Sequence, residues 1–228
     1  MGFFHFIGVF LLFAASILLL ITTISAPVVN DIALLRVHLN NGSTLNFGTF
    51  GYCVLNAAQP NDGNDWCSKV HIGYKPANII ASTAASQDFD EITGGTSDAL
   101  TSTMVLHPIE CGLAFIAFVI SAFAGMFGSL FGALIALVAW ILTLISLAID
   151  FTVFGIVHHH VSDYSAGRER ATFGDGIWCL AAAFVALFFG MFIVFFTCCA
   201  ARREKRRGVA SKQEVQPVQT RRKRFGMF

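Results

Sequence analysis

Three stretches of this chain contain no Asp, Glu, Lys, Arg or His: residues 6–30, 111–149 and 176–201. They are 25, 39 and 26 residues long, and a helix needs about 20 apolar residues to cross a hydrocarbon core of ~30 Å. The middle stretch is too long for one crossing, because ~1.5 Å per residue makes it a rod of ~58 Å. It is interrupted by Ala124-Gly125-Met126-Phe127-Gly128-Ser129, where two glycines and a serine can turn the chain. Two helices joined by a tight turn follow, so the sequence predicts four spans, at about residues 3–25, 108–127, 130–157 and 173–199.

Composition excludes an ordinary soluble domain: 13% of residues are charged, against about 25% in that class. Charge is also unevenly placed. Ten of the 15 Lys and Arg follow Ala201, opposed only by Glu204 and Glu214, whereas residues 26–107 hold seven acids and three bases. Basic residues beside a span mark the cytoplasmic side. The tail, residues 202–228, is therefore expected inside, and with four spans the N-terminus lies there too. Residues 26–107 become the large exterior segment, and 158–172 a short exterior loop. The first span lacks a basic leader, is longer than a signal core and fits the small-x-small cleavage rule poorly at Ile24-Ser25-Ala26, so it reads as a retained helix. Met1-Gly2 does not start a myristoylation signal, because Phe6 stands where Ser or Thr is required.

Small residues recur every fourth position at Gly128, Gly132 and Ala136, and again at Ala182, Ala186 and Gly190. Such rows let helices approach closely in lipid, as seams inside one bundle or as a homo-oligomer contact. Pro108 suits the first turn of the second span.

In the exterior segment, aliphatic and β-branched runs at 32–39 and 44–47 flank Asn40-Asn41-Gly42-Ser43, a hairpin signal. Residues 50–55 and 70–74 add strand candidates, giving a small antiparallel sheet, while 81–102 reads as a looser excursion. Cys53 and Cys67 fall in this sheet, where oxidation is permitted, and are expected to bond to each other and to stabilise it by about 3 kcal/mol. Cys111 and Cys179 read as buried apolar residues. Cys198 and Cys199 end the fourth span beside Arg202, Arg203, Lys205, Arg206 and Arg207, a setting for S-palmitoylation. A second basic cluster, Arg221, Arg222, Lys223 and Arg224, joins the first in an expected contact with anionic lipid. Asn41-Gly42-Ser43 is an N-glycosylation sequon.

Asp150 reads as the only ionisable side chain inside a span. An acid there is a functional candidate, with His107, His158-His159-His160 or Arg168 as partner; the plainer role is an anchor tying the third helix to its loop. The three histidines and Asp163 splay too widely for a metal site and read as a solvated interfacial loop, with a pH-responsive loop as the alternative. Asp88, Asp90, Glu91 and Asp98 read as a solvated acidic stretch. Walker loops, H-E-x-x-H, G-x-S-x-G and paired intramembrane acids are absent from the sequence. The chain is therefore read as a non-enzyme, with no cofactor, no metal and no nucleic-acid partner expected.

Two strings in the exterior segment, Phe47-Gly48-Thr49-Phe50-Gly51-Tyr52-Cys53 and Trp66-Cys67-Ser68-Lys69-Val70-His71-Ile72-Gly73-Tyr74, resemble the fungal PalI family of four-span membrane proteins. So do Ile24-Ser25-Ala26-Pro27-Val28, Leu106-His107-Pro108 and Ala148-Ile149-Asp150-Phe151. The resemblance extends to about Ala201. It implies an all-α transmembrane four-helix bundle with a small disulfide-stapled extracellular β-sheet, claudin-like in architecture, with Phe47, Gly48, Phe50, Gly51, Tyr52 and Trp66 as its marker residues. It also implies a plasma-membrane accessory protein that supports a larger multi-span sensor of ambient alkaline pH. A related branch implies instead an organiser of eisosome-type membrane domains linked to the cell wall.

Overall fold

The computed structural model describes residues 3–56, 65–84, 102–123, 125–164 and 170–214. In chain order the elements are α1 (Phe3–Thr23), β1 (Leu35–His38), β2 (Thr44–Phe47), β3 (Tyr52–Leu55), β4 (Trp66–Cys67) and α2 (Pro76–Ala84). A 3-10 turn (Ser102–Val105) then leads into α3 (Leu106–Phe123), α4 (Met126–Tyr164), β5 (Arg170–Phe173) and α5 (Asp175–Glu214).

Among the described residues four helices are long and apolar enough to cross a membrane: α1, α3, and the segments Gly128–His159 of α4 and Asp175–Glu204 of α5. They form a ring in which α1 touches α3 and α5, and α4 touches the same two helices. Lipid tails are as apolar as these side chains, so close packing rather than water exclusion holds such helices together. Small residues make that packing possible here. Ala114 and Ala117 of α3 and Ala133, Ala136 and Ala139 of α4 are all buried in the shared core. Gly132 abuts Ser121 and the Ala117 backbone on α3, and Gly190 abuts Gly8 and Leu12 on α1. The outer faces carry exposed Phe6, Phe10, Phe115, Phe131, Phe189 and Phe196, as a lipid-facing surface requires.

All five strands pair antiparallel, in the order β4-β3-β2-β1-β5. The β1–β2 hairpin turns through Asn40, Asn41 and Gly42. The Gly42 amide donates to Leu39 O at 3.1 Å and the Leu39 amide to Ser43 O at 2.9 Å. Gly42 sits at φ 85°, so this is a three-residue loop whose last position needs the left-handed conformation glycine adopts freely. Leu35 and Val37 of β1, Leu45 and Phe47 of β2 and Val54 of β3 are buried against Phe154 and Val157 of α4 and Ile177 of α5. Outside the bilayer such burial contributes about 1.5–3 kcal/mol per large side chain, and it seats the sheet on one end of the bundle.

Three sequence expectations differ from the structure. Residues 70–74 form no strand; Val70 and Ile72 are exposed, and the segment is held by the His71 amide donating to Phe50 O at 2.9 Å. The first residues of the looser excursion, 81–84, complete a helix, α2, begun by Pro76 where a missing N–H costs nothing. Residues 158–172 are only partly a loop. The helix α4 continues to Tyr164 and so carries the three histidines, and 170–173 pairs with β1, so α5 begins at Asp175 rather than near 173.

Candidate functional site

The marker residues gather where the sheet meets α1. Gly48 leaves β2 so close to the end of α1 that a Cβ there would lie against Ala26 O, 2.6 Å from Ala26 N and 2.8 Å from Ala26 Cα. Only glycine fits, since every obstructing atom is backbone. The neighbouring Thr49 ties the same junction: its amide donates to Ser25 Oγ at 3.0 Å and its hydroxyl to Thr22 O at 2.9 Å. The strings Ile24-Ser25-Ala26 and Phe47-Gly48-Thr49 therefore belong together because they touch.

Beside this knot, Phe47 stacks on Tyr74 with ring centroids 6.0 Å apart, and Tyr52 meets Trp66 edge-on at 5.5 Å. Tyr74 Oη donates to Gly48 O at 2.7 Å. Burial drives the Tyr74 phenol well above its ordinary range, and the Asp150 charge adds to the effect. Gly51 lets the chain pass Ser68, whose hydroxyl accepts the Tyr52 amide at 3.1 Å. Phe50 is half-buried in the turn that leads to it. Cys53 and Cys67 are direct partners across β3 and β4 and form a disulfide. The Asn30 side-chain oxygen lies 3.2 Å from Cys67 Sγ and 3.5 Å from Cys53 Sγ.

Beneath the knot is a polar layer that divides the apolar core under the sheet from the apolar core of the bundle. His107 Nε2 on α3 donates to Asp150 Oδ2 on α4 at 3.1 Å, and both side chains are 1% exposed. Among the described residues the partner of Asp150 is His107, which brings the strings Leu106-His107-Pro108 and Ala148-Ile149-Asp150-Phe151 into contact. Asp150 is not the only ionisable side chain in a span. Glu110 lies one turn along α3 from His107, is 0% exposed, and has no hydrogen-bond partner on either carboxylate oxygen. His5 is a further one, 5% exposed at the opposite end of the bundle, where its ring nitrogens lie 3.3 Å from Ser121 O and 3.4 Å from Thr197 Oγ1. Both are legible in the sequence only as edges: each directly precedes a charge-free run, although helical periodicity places it inside the span.

The remaining candidates are dispersed. Asn41 is exposed at the hairpin, its Oδ1 accepting the Ser43 amide at 3.0 Å and its Nδ2 donating to Thr83 O at 3.1 Å. Cys198 is buried and Cys199 exposed. Arg202 and Arg203 are exposed on the continuing helix α5, which also carries Lys205, Arg206 and Arg207. Arg221, Arg222, Lys223 and Arg224 lie outside the described residues, as do Asp88, Asp90, Glu91, Asp98 and Arg168. Among the described residues no cluster of three or more His, Cys, Asp or Glu is arranged to hold a metal ion.

These features define a multi-pass membrane protein built as a four-helix bundle, with a disulfide-stapled sheet seated on one end. A family model described as the SUR7/PalI family matches residues 4–196, and the chain belongs to that family. A segment of 114 residues, 50% of the chain, is 34% identical to the pH-response regulator protein palI/prr-5 of Neurospora crassa, and covers 15% of it. A segment of the same length is 30% identical to the pH-response regulator protein palI/RIM9 of Emericella nidulans, covering 18% of that protein. Over 144 residues, 63% of the chain, it is 28% identical to the palI/RIM9 protein of Pyricularia oryzae, again covering 18% of that relative. The matched part is thus less than a fifth of each relative's length.

Proposed function

We propose that this protein is a non-catalytic accessory of ambient alkaline-pH signalling in the plasma membrane, with both termini in the cytoplasm and the sheet facing outward. The observation that carries the reading is the match of residues 4–196 to the SUR7/PalI family, together with relatives named as pH-response regulators. The partner is a larger multi-span membrane protein. The surface offered to it is the β4 side of the sheet, where Trp66, Val70 and Ile72 are exposed beside the disulfide. Basic residues at the far end of α5, Arg202 and Arg203 among them, suit the anionic cytoplasmic leaflet.

Deletion of the gene followed by growth on alkaline medium tests the reading. Loss of alkaline growth, with reduced sensor at the cell surface and rescue by the full chain, is expected. Normal alkaline growth with normal sensor abundance would refute it. Static fluorescent patches of a tagged copy, together with altered cell-wall organisation, would assign the protein instead to the eisosome-type organisers of the same family.

A further inference from the structure

We propose that Glu110, buried on α3 against α4 beneath the sheet, is a proton-binding site whose proton is shared with the His107–Asp150 pair. The side chain is fully buried and neither oxygen makes a well-formed hydrogen bond, the Thr143 and Ser146 hydroxyls being its polar neighbours. An ionised carboxylate in that position would be among the costliest groups a protein can bury. One of the two hydroxyls around it can only accept. Thr143 faces Glu110, but Thr143 Oγ1 already donates its proton to Ala139 O at 2.8 Å. Only its lone pairs remain, so Thr143 can accept from a protonated Glu110 and has nothing to give an ionised one. The second facing hydroxyl, Ser146 Oγ, is buried and makes no bond along its own helix, so it can accept from a protonated Glu110 or donate to an ionised one.

Counting charge leads to the same state. With His107 protonated and both acids ionised, the cluster carries one net negative charge, and one more proton makes it neutral. The charges acting on Glu110 are those of His107 and Asp150. Tyr74 faces Asp150 from the sheet side, and the Cys111 thiol faces Glu110 along α3. On α1 the adjoining polar group is the Ser16 carbonyl, 3.8 Å from Cys111 Sγ, and on α5 Asp175 faces Cys179. Asp150 lies ~36 Å along α4 from its start at Met126, which puts the cluster at the edge of a ~30 Å core, within reach of protons from the sheet side. Tyr74 then links it to Gly48 O, so loss of the proton places a new charge one side chain from the knot that fixes the sheet on α1.

This inference names a site for the pH reading above, but its test uses the purified full-length chain in lipid nanodiscs, so either can fail alone. Infrared difference spectra recorded from about pH 5 to 9 should show a protonated-carboxyl band that disappears on alkalinisation and is missing in Glu110→Gln. A wild-type spectrum without a titrating carboxyl band, or a band that survives Glu110→Gln, overturns the proposal. Should Glu110→Gln fail to fold, Thr143→Val removes only the acceptor and should move the band and its titration midpoint; an unmoved midpoint overturns it equally. A folded state holding a proton that the unfolded chain has released loses stability as pH rises. The wild-type melting midpoint should therefore fall with pH over this range, and a flat profile counts against the site.

Discussion

Gly48→Ala is the sharpest perturbation the fold offers. The added Cβ would meet three backbone atoms of Ala26 and no flexible side chain that could yield, so the β2 end must move away from α1. That movement breaks the Thr49 amide bond to Ser25 Oγ, the Thr49 hydroxyl bond to Thr22 O and the Tyr74 bond to Gly48 O, at 3.0, 2.9 and 2.7 Å. At about 1 kcal/mol net for each hydrogen bond the loss is about 3 kcal/mol. For a chain of this size that corresponds to a melting midpoint lower by about 6–12 °C. Gly112→Ala is the control, because a Cβ there meets nothing within 4 Å. Thermal unfolding of both variants in the same micelles decides the matter. If Gly48→Ala melts with the wild type, the tight junction between sheet and α1 is not what holds the sheet in place.

Cys53→Ser, or mild reductant, should destabilise the sheet by about 3 kcal/mol, the entropy of closing a loop of this length, seen as a lower melting midpoint that reductant no longer shifts in the variant. Acyl labelling in cells should be lost in Cys199→Ser and kept in Cys198→Ser, since only Cys199 is exposed beside the basic end of α5. Asn41 should carry a glycan removable by an endoglycosidase and absent in Asn41→Gln; an unshifted wild-type band would refute glycosylation at this hairpin, where the side chain instead bonds Thr83 O.

The helices and the first three strands were legible because their signals are local. Charge-free runs define spans, and Asn41-Gly42 between aliphatic runs defines a hairpin. The disulfide was legible from compartment and proximity. What could not be read is what depends on distant partners. Arg170-Ala171-Thr172-Phe173 carries no pattern beyond four residues, and becomes a strand because β1, more than 130 residues earlier, offers it an edge. Val70 and Ile72 imitate the strand period, yet their apolar side chains face outward. The Glu110 site was hidden for a related reason: its meaning comes from Asp150, His107 and Thr143 converging on it, and along the chain it is one acid near a helix start.

The pairing of β1 with β5 has a consequence for how the protein is made. The strand β1 emerges from the ribosome with its β2 side satisfied by the next few residues, but its other side stays open until Arg170–Phe173 has been synthesised. Two membrane helices, α3 and α4, must be placed in the bilayer in that interval. An unpaired strand edge attracts any other strand nearby, so throughout this window the nascent chain is adhesive. A chain stalled before Arg170 would present that edge permanently, which makes the closing strand a checkpoint that is passed only once α4 has been made.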